Sequence, residues 1–503
     1  MRQEGRPGPA TRRSTPPTPA PQPGGKSAAL APDSAYSRPV DDMRDLLARA
    51  AELAAAYRAS LAERPVAPGG GCTGFGGPLP RNPSPPSEVL EELARAAEPG
   101  LVATAGPRFF GFVVGGALPA ATAADVLVAG WDQNGFNAVL SPAAAAAEEA
   151  AGAWLKELLR LPATASTGFV TGGQAANTVG LAAARHHVLA EAGWDVERDG
   201  LTGAPRVRVV ASEERHATVD RALRLLGFGT RVVEPVETGP QGAIDVDDLR
   251  KVCAAGRGPL IVCLQAGNVN TGACDPLGNL AAIAHGHGAW LHVDGAFGLW
   301  AAAASGRRHL LAGIDLADSW ATDCHKWLNV PYDSGVVVVA HPAAHRASMS
   351  QTAAYLIRAT DEQRDGMDWT PEASRRARGV PIYAALRTFG RSGIDALIER
   401  CCRAASHMAS ILDREAGVTI LNEVVLNQVL ARFGLPDGTN VSPAVIEYVQ
   451  AEGVCWAGGT RWNGEPAMRI SVSNWKTTDE DIDRSAASIL RCFRSIAGED
   501  IGL

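Results

Sequence analysis

The sequence predicts an α/β protein with a large domain on a mostly parallel sheet and a smaller C-terminal α+β domain. Between about residues 150 and 345, short and fully apolar segments alternate with helical ones, as in parallel sheets that helices cover on both faces. From about residue 395, helical stretches flank VVLNQVLARF and MRISVSNW. The apolar segments of the large domain are RVRVVAS, PLIVCLQ, AWLHVD, SWATD and SGVVVVA.

Four regions follow from composition and periodicity. Residues 1–38 are rich in Pro, Gly, Ser and Thr, and we expect a disordered tail because they cannot bury enough apolar surface. Residues 39–120 hold two helical patterns, DDMRDLLARAAELAAAYRASL and SEVLEELARAAE, and are expected to form a helical arm. The large domain is placed at 121–394 and the small domain at 395–503.

The overall composition excludes several classes of function. The net charge of −7 is spread through the chain without a basic stripe, so we expect no nucleic-acid partner. Nine cysteines show no CxxC pair or zinc-ligand spacing, which favours free thiols in a reducing compartment. No stretch reaches the roughly 18 to 20 apolar residues of a membrane span. We therefore expect a cytoplasmic protein that does not bind membranes.

One lysine stands apart from the others. Lys326 lies in ATDCHKWLNVPYDSG, between a strand pattern and a turn. The carboxyl edge of a parallel sheet faces the crevice where such sheets bind ligands, and a lysine amine there can form a Schiff base with a carbonyl. A lysine that merely caps the strand end explains the position equally well. The four remaining lysines occupy ordinary tail or surface positions: Lys26, Lys156, Lys251 and Lys476.

A carboxylate ends another predicted strand. AWLHVD finishes on Asp294 and is followed by the small residues Gly295 and Ala296. A buried carboxylate at a strand end can hold the proton of a ring nitrogen, and the small residues leave room for a flat ring. A turn or cap role for Asp294 is the commoner alternative.

Two further motifs suit a flat, phosphorylated ligand. His216 follows a predicted strand and precedes a helix, so its imidazole could stack on a ring and act in acid–base steps; a solvent-facing helix-start histidine is the alternative. In FVTGGQAANTVGLAAAR, Gly172 and Gly173 open an Ala-rich helix. Bare N–H groups at a helix start suit a phosphate, although glycine pairs before helices are common.

In this order and spacing, GGQAAN, His216, the Asp294 strand and HKW resemble the group II pyridoxal-phosphate decarboxylases, which have the fold type I (aspartate aminotransferase-like) architecture. The resemblance runs from about residue 41 to the C-terminus. It implies pyridoxal 5'-phosphate held on Lys326, with Asp294 at the ring nitrogen and the ring between His216 and Ala296. The implied phosphate contacts are Gly173, Gln174 and His325. Gln174 stands where relatives often have Ser, and AGNVNTG replaces a Thr-rich turn of several relatives.

The resemblance also assigns two residues to the substrate. Tyr355, 29 residues after Lys326 (355 − 326), resembles a tyrosine on a loop that closes over the site from the neighbouring subunit and protonates the α-carbon. Relatives without that tyrosine tend towards oxidative decarboxylation to aldehydes. Arg469, in EPAMRISVSNW, corresponds to an arginine that holds the α-carboxylate, a task that suits its bidentate fork. A structural ion pair within the small domain explains Arg469 equally well.

The expected function is decarboxylation of an L-amino acid to an amine and CO2 by a homodimer with a shared active site. By similarity, PRFFGFVVGG and GWDQNGFNAVLSP should line the substrate pocket, the second across the dimer interface. Trp131 and Phe136 could receive an aromatic side chain, whereas Gln133, Asn134 and Asn137 could bind an acidic one, so the substrate class stays open. The alternatives are transamination or oxidative decarboxylation with the same cofactor, and a catalytically silent binding homologue.

Overall fold

A computed structural model of the protein describes residues 43–351 and 364–498. The predicted tail at 1–38 and Tyr355 lie outside the described residues.

The first described part of the chain is helical. Helices α1 and α2 bury none of their residues in the described structure. They contact each other through the Arg49–Glu91 ion pair (Nη2 to Oε2, 3.2 Å). The assignment of residues 39–120 to a helical arm stays a prediction. The elements here are α1 (Met43–Ser60), α2 (Pro86–Ala97), α3 (Pro119–Trp131) and α4 (Pro142–Leu158).

A seven-stranded sheet forms the centre of the large domain. Its elements are β1 (Ser166–Val170), α5 (Gly173–Glu191), α6 (Val196–Asp199), β2 (Arg208–Ser212), α7 (Ala217–Leu225), β3 (Val233–Val236), α8 (Val246–Ala254), β4 (Leu260–Gln265), α9 (Leu277–Gly286), β5 (Trp290–Asp294), β6 (Ser319–Asp323), β7 (Gly335–Val339) and α10 (Pro342–Met349). The strand order is β1-β7-β6-β5-β4-β2-β3. Among these strands, the two pairings of β7, with β1 and with β6, are antiparallel, and the other pairings are parallel.

The burial of the strands explains their sequences. All residues of β2, β4, β5, β6 and β7 are buried, because helices pack on both faces of the sheet and leave no solvent face that would select alternating polar residues. These strands are the five apolar segments that the sequence predicts. The α/β prediction with a mostly parallel sheet is therefore confirmed.

The C-terminal part is α+β. Its elements are α11 (Gly379–Leu412), β8 (Val418–Ile420), β9 (Gln428–Phe433), α12 (Ser442–Glu452), β10 (Gly458–Trp462), β11 (Glu465–Ser471) and α13 (Asp479–Ala497). The strands form an antiparallel sheet in the order β10-β11-β9-β8. Helix α11 bends at Gly390, whose φ is 58°. Residues 394 and 395, the predicted domain boundary, lie inside α11, so one helix connects both parts, and the boundaries stay a prediction.

Two further features bear on the environment of the protein. All nine cysteines are free, and seven of them are buried. Within 43–351 and 364–498, no helix has the length and apolar character that crossing a bilayer requires.

Candidate active site

The carboxyl ends of β5 and β6 meet the start of α5 at one edge of the large sheet. Asp294 is the last residue of β5 and pairs in register with Ala321 of β6. Asp323 is the last residue of β6, and the N–H of Gly173, the first residue of α5, donates to it. Parallel neighbours end at the same edge, so motifs that are far apart in sequence come together here.

Lys326 is anchored by a carboxylate that the sequence analysis did not identify. Its Nζ lies 2.8 Å from Oδ2 of Asp323, and the lysine side chain is 19% exposed. The other oxygen of Asp323 accepts from Gly173 N–H and lies 3.2 Å from Nε2 of His325. Asp323 thus gathers three of the predicted site residues around one buried carboxylate.

The protonation of His325 follows from its contacts. Its Nδ1 accepts the N–H of Ser334 (3.2 Å), so the ring hydrogen is on Nε2 and points at Asp323. Burial lowers the pKa of His325, against an opposing effect of Asp323. The ring also stacks on Tyr332, with 4.3 Å between centroids. A neutral, oriented Nε2–H therefore faces the cleft edge.

Asp294 is buried but well supplied with hydrogen bonds. Its Oδ2 accepts from Nδ2 of Asn177 (3.0 Å) and its Oδ1 from the N–H of Ala296 (3.2 Å). Both carboxylate oxygens of Asp294 therefore accept a hydrogen bond from the chain. The backbone oxygen of Ala296 accepts the N–H of Asp323 (2.9 Å), which places Ala296 between the two strand ends. This arrangement suits a carboxylate that pairs with a protonated ring nitrogen.

His216 begins a helix and also lies at the cleft. It is the N-cap of α7, and its Nδ1 accepts the N–H of Thr218 (3.3 Å). Its side chain is nevertheless exposed at the cleft. Burial and the charges of Asp294 and Lys326 all act on its pKa. The pKa of His216 is lowered, chiefly by desolvation within the cleft, with Asp294 opposing. A helix-start histidine thus also faces the site.

The start of α5 lies close against His325 and Asp323. A Cβ on Gly172 would come 3.0 Å from Cε1 of His325, and one on Gly173 would come 2.8 Å from Oδ2 of Asp323. Glycine therefore lets backbone N–H groups reach the cleft. The side chain of Gln174 already has a partner, because its Nε2 donates to the backbone oxygen of Thr218 (3.2 Å).

These groups fit pyridoxal 5'-phosphate, although the Asp323 carboxylate adds a negative charge at the helix start. A lysine amine, a buried carboxylate, an imidazole and a glycine-lined helix start are the donor and acceptor types that its aldehyde, ring nitrogen, ring face and phosphate require. The carboxylate of Asp323 already accepts the N–H of Gly173, so a bound phosphate would have to share donors with it.

Arg469 reaches the same cleft from the small domain. It lies on β11, opposite Gly458 and Leu430 on the neighbouring strands. Its positive charge lowers the pKa of His216, and burial lowers its own pKa. Among the described residues, no hydrogen-bonded or charged partner acts on its guanidinium, whose pKa is shifted by burial alone. A partly buried, unpartnered guanidinium is a ready carboxylate receptor.

An aromatic segment covers the backbone of Lys326. The N–H of Gly115 donates to the backbone oxygen of His325 (3.2 Å). Nearby, Phe112 is 65% exposed and has a φ of 53°, a conformation that a non-glycine residue adopts at a cost. Its ring lies 5.2 Å from that of Trp456. The predicted pocket segment therefore presents an exposed aromatic surface next to the site.

The other predicted pocket segment is not brought to Lys326 within one chain. Oδ1 of Asn134 accepts the N–H of Arg375 (2.9 Å), and the backbone oxygen of Phe136 accepts the N–H of Met367 (2.9 Å). These contacts join Asn134 and Phe136 to the segment 367–376. Their assignment to the substrate stays a prediction that requires a second subunit.

Sequence reasoning missed three polar residues of the site. Asp323 ends a predicted strand, so the criterion that identified Asp294 applies to it as well. Asn177 and Thr218 contact Asp294 from within helices, where the sequence offers no signal because the packing of α5 and α7 on the sheet decides which helical residue faces the cleft.

Comparison with known proteins agrees with this geometry. Residues 74–433 match the family model described as the pyridoxal-dependent decarboxylase conserved domain. Tryptophan decarboxylase 1 of Oryza sativa subsp. japonica is 31% identical over 70% of this chain and 72% of its own. Phenylacetaldehyde synthase of a Rosa hybrid cultivar is 29% identical over 62% of this chain and 63% of its own.

A solved structure shows the same fold. The crystal structure of Oryza sativa TDC with PLP and tryptamine superposes with a TM-score of 0.83 and 24% identity, over 92% of this chain and 99% of that one. The predicted fold type and the family resemblance are confirmed.

Proposed function

Because the chain belongs to the pyridoxal-dependent decarboxylases, we propose roles for its site residues, a substrate class and an assembly. The enzyme is a carboxy-lyase that decarboxylates an amino acid with pyridoxal 5'-phosphate as cofactor. When bound, the cofactor supplies an electron sink for the electron pair left at the α-carbon as CO2 departs. The chain's residues hold and orient the reactants and move protons.

The cofactor site is assigned by chemical complementarity. Lys326 binds the cofactor aldehyde through its amine, and Asp294 keeps the ring nitrogen protonated. His216 stacks on one face of the ring and Ala296 lies against the other. The support is that four separately predicted elements meet at one sheet edge, and this juxtaposition is the observation that carries the proposal.

The phosphate is assigned to the start of α5. The N–H groups of Gly173 and Gln174 supply backbone donors at the positive end of a 19-residue helix. His325 adds an Nε2–H that its bond with Ser334 N–H fixes and that a phosphate would share with Asp323. The side chain of Gln174 has a partner in Thr218, so the backbone of Gln174, rather than its amide, is the proposed contact.

The substrate's α-carboxylate is assigned to Arg469, which lacks a described protein partner and shares the cleft with His216. A bidentate pair would hold the carboxylate on the His216 side of the ring. Tyr355, which lies outside the described residues, is assigned the proton transfer to the α-carbon. That assignment rests on its position after Lys326 and predicts an amine as the product.

The side chain of the substrate is proposed to be aromatic. The three amide side chains that could bind an acidic substrate each take part in a hydrogen bond within the chain. Gln133 donates to the backbone oxygen of Trp131, Asn134 accepts from Arg375 N–H, and Asn137 accepts from Leu140 N–H. The exposed Phe112 and its neighbour Trp456 offer an apolar surface instead.

The relatives support the same substrate class, since their names specify tryptophan decarboxylation and phenylacetaldehyde synthesis.

The assembly is proposed to be a homodimer with a shared site. Helices α1 and α2 carry exposed apolar side chains, among them Leu47, Val89 and Leu93 at 43–53% exposure, and bury none of their residues in one chain. A second copy that covers these faces would also supply the segment of Phe136 and Asn134 to the site. Sedimentation of a monomer at micromolar concentration would contradict the dimer.

Nine free thiols support a cytoplasmic location.

The test combines a substrate panel with lysine variants. We expect the enzyme, loaded with cofactor, to release CO2 and the amine from L-tryptophan, L-tyrosine or L-phenylalanine, and not from L-glutamate or L-cysteine sulfinate. Lys326→Ala should abolish turnover and the visible absorbance of lysine-bound cofactor, because no other described lysine reaches the site. Lys251→Ala, on the exposed end of α8, is the matched control and should behave as the parent.

Each alternative has its own signature in these assays. An aldehyde or keto acid as the organic product would contradict the proposed role of Tyr355, and a preference for acidic substrates would contradict the aromatic assignment. Normal turnover of Lys326→Ala would overturn the site itself. A chain that takes up no cofactor would be a binding homologue.

A further inference from the structure

A chain of buried hydrogen bonds runs from Asp294 back through the sheet. Asn177 contacts Asp294 (Nδ2 to Oδ2, 3.0 Å) and His292 (Oδ1 to Nε2, 2.9 Å). Nδ1 of His292 lies 2.8 Å from Oγ of Ser319, which lies 2.8 Å from Nε1 of Trp290. None of the five residues is more than 5% exposed. The chain thus ends on the carboxylate assigned to the ring nitrogen.

The contacts of this chain fit one consistent set of donors and acceptors. The indole Nε1–H of Trp290 can only donate, so the Ser319 hydroxyl accepts from it and keeps its own hydrogen to donate to Nδ1 of His292. Burial lowers the pKa of His292 to about 4, so its ring is neutral and its hydrogen is on Nε2. That hydrogen is donated to Oδ1 of Asn177. In this arrangement Oδ1 of Asn177 is held by His292, and its Nδ2 faces Asp294.

Asn177 is also a branch point towards His216. The second hydrogen of its Nδ2 is directed at Oγ1 of Thr218 (3.1 Å). That hydroxyl lies 2.8 Å from Nδ1 of His216 and 3.4 Å from Oδ2 of Asp294. Because Nδ1 of His216 already accepts the N–H of Thr218, it carries no hydrogen and accepts the hydroxyl too. One amide thus orients both the carboxylate and the imidazole of the site.

The backbone leaves room for this arrangement at one helical position. A Cβ on Gly180 of α5 would lie 2.7 Å from Cε1 of His292 and 3.5 Å from Oγ of Ser319. Helix α5 therefore approaches the sheet closely enough for Asn177 to meet His292 only because residue 180 has no side chain.

We propose that His292 and Asn177 are positioning residues that fix the direction of Asp294 and the tautomer of His216. The proposal rests on the roles assigned above to Asp294 and His216. A purely structural network would need its polar atoms paired, but it would not need to end on two groups that face the cofactor. The two possibilities differ in how conservative variants behave.

The test uses two variants of one residue. In His292→Gln the amide nitrogen can replace Nε2 and still donate to Asn177, whereas in His292→Asn the shorter amide can reach only Ser319. The dissociation constant of pyridoxal 5'-phosphate is measured by quenching of tryptophan fluorescence, and the melting temperature of the cofactor-free chain is measured beside it. We expect His292→Gln to bind within about threefold of the parent, and His292→Asn to bind about tenfold more weakly, as for loss of a group that orients a ligand.

The outcomes separate the proposed positioning role of His292 and Asn177 from a purely structural role. Equal dissociation constants for the Gln and Asn variants, with lowered melting temperatures in both, would overturn the proposal. If neither variant folds, Thr218→Val and Thr218→Ser test the branch to His216. The valine variant should bind cofactor several-fold more weakly and the serine variant normally. Equal binding by both would count against the positioning role.

Asp294→Asn in the same assay separates the role of Asp294 from the positioning role of His292 and Asn177. If it binds cofactor normally, the role of Asp294 itself is wrong. If it binds weakly while the His292 variants bind normally, only the positioning role of His292 and Asn177 is wrong.

Discussion

Strand β6 has a carboxylate with nitrogen partners at each of its ends. At the carboxyl end, Asp323 contacts His325 and Lys326. At the amino end, Asp318 lies 2.8 Å from Nε2 of His341 and 3.2 Å from Nε2 of His285. A list of residue types would rank the two clusters alike as candidate sites.

The two ends differ in what is left unpartnered. At the amino end, the oxygens of Asp318 are taken by the two imidazoles and by the N–H of Leu291 (2.7 Å), and the His341 ring packs against His187 and Trp290. At the carboxyl end, glycines open a helix start and the guanidinium of Arg469 has no described protein partner. A cluster becomes a site when its geometry leaves donors for something else.

The largest effect that would sharpen this contrast is expected at Arg469. Arg469→Gln should lower kcat/KM by about 100-fold or more, mainly through KM, because losing one partner of a desolvated charge pair costs about 2–5 kcal/mol. Arg469→Lys should recover only part of the loss, since it keeps the charge without the fork. Steady-state kinetics on the preferred amino acid measure both variants.

Arg461→Gln is the matched control for Arg469, because Arg461 is exposed on the adjacent strand β10. An unchanged KM in Arg469→Gln would show that the guanidinium is only structural, like the groups around Asp318.

The next effect tests the charge of Asp323. Asp323→Asn keeps an acceptor for Gly173 N–H but removes a negative charge from the proposed phosphate site. We expect the dissociation constant for pyridoxal 5'-phosphate to fall by about tenfold, the size of a like-charge repulsion near a partly solvated surface. Asp318→Asn supplies the matched control at the other end of β6 and should leave cofactor binding unchanged. Weaker binding by Asp323→Asn would mean that the carboxylate supports the cofactor rather than opposing it.

The contrast between the two ends also shows how far the sequence could predict the site. The fold and the positions of Lys326, Asp294 and His216 follow from apolar strand segments and from the residues at their ends, because parallel topology brings those ends together. The partners of those residues depend on helix rotation and close approach. Asn177 faces Asp294 only because α5 packs tightly on the sheet.

Arg469 also marks a limit of sequence reasoning. Its type suits either a structural ion pair or a substrate contact, and only the missing protein partner in the folded chain favours the second. Composition could not show that. Asp323 could have been predicted, since it ends a strand as Asp294 does.

The smallest effect is expected at the amino end and should appear in stability rather than in activity. The hydrogen bond with Asp318 raises the pKa of His341. For Asp318, burial alone would raise the pKa, but hydrogen bonds, first that of His341, lower it overall. A raised histidine pKa gives stability that is fully present below the unfolded value of about 6.5 and is lost as the pH rises through the folded value. The lowered pKa of Asp318 keeps its contribution present above about pH 4.

Asp318→Asn should therefore destabilise the protein more at pH 6 than at pH 9. Because His341 is 44% exposed, solvent screening limits the pH-dependent part to about 0.5–1 kcal/mol. Thermal unfolding at the two pH values measures the difference, with the exposed Asp315→Asn as the control that should show none. Equal losses at both pH values would mean that the imidazoles add nothing to the backbone hydrogen bond of Leu291. In that case the amino-end cluster would be held by backbone contacts alone, and the likeness between the two ends of β6 would be one of composition only.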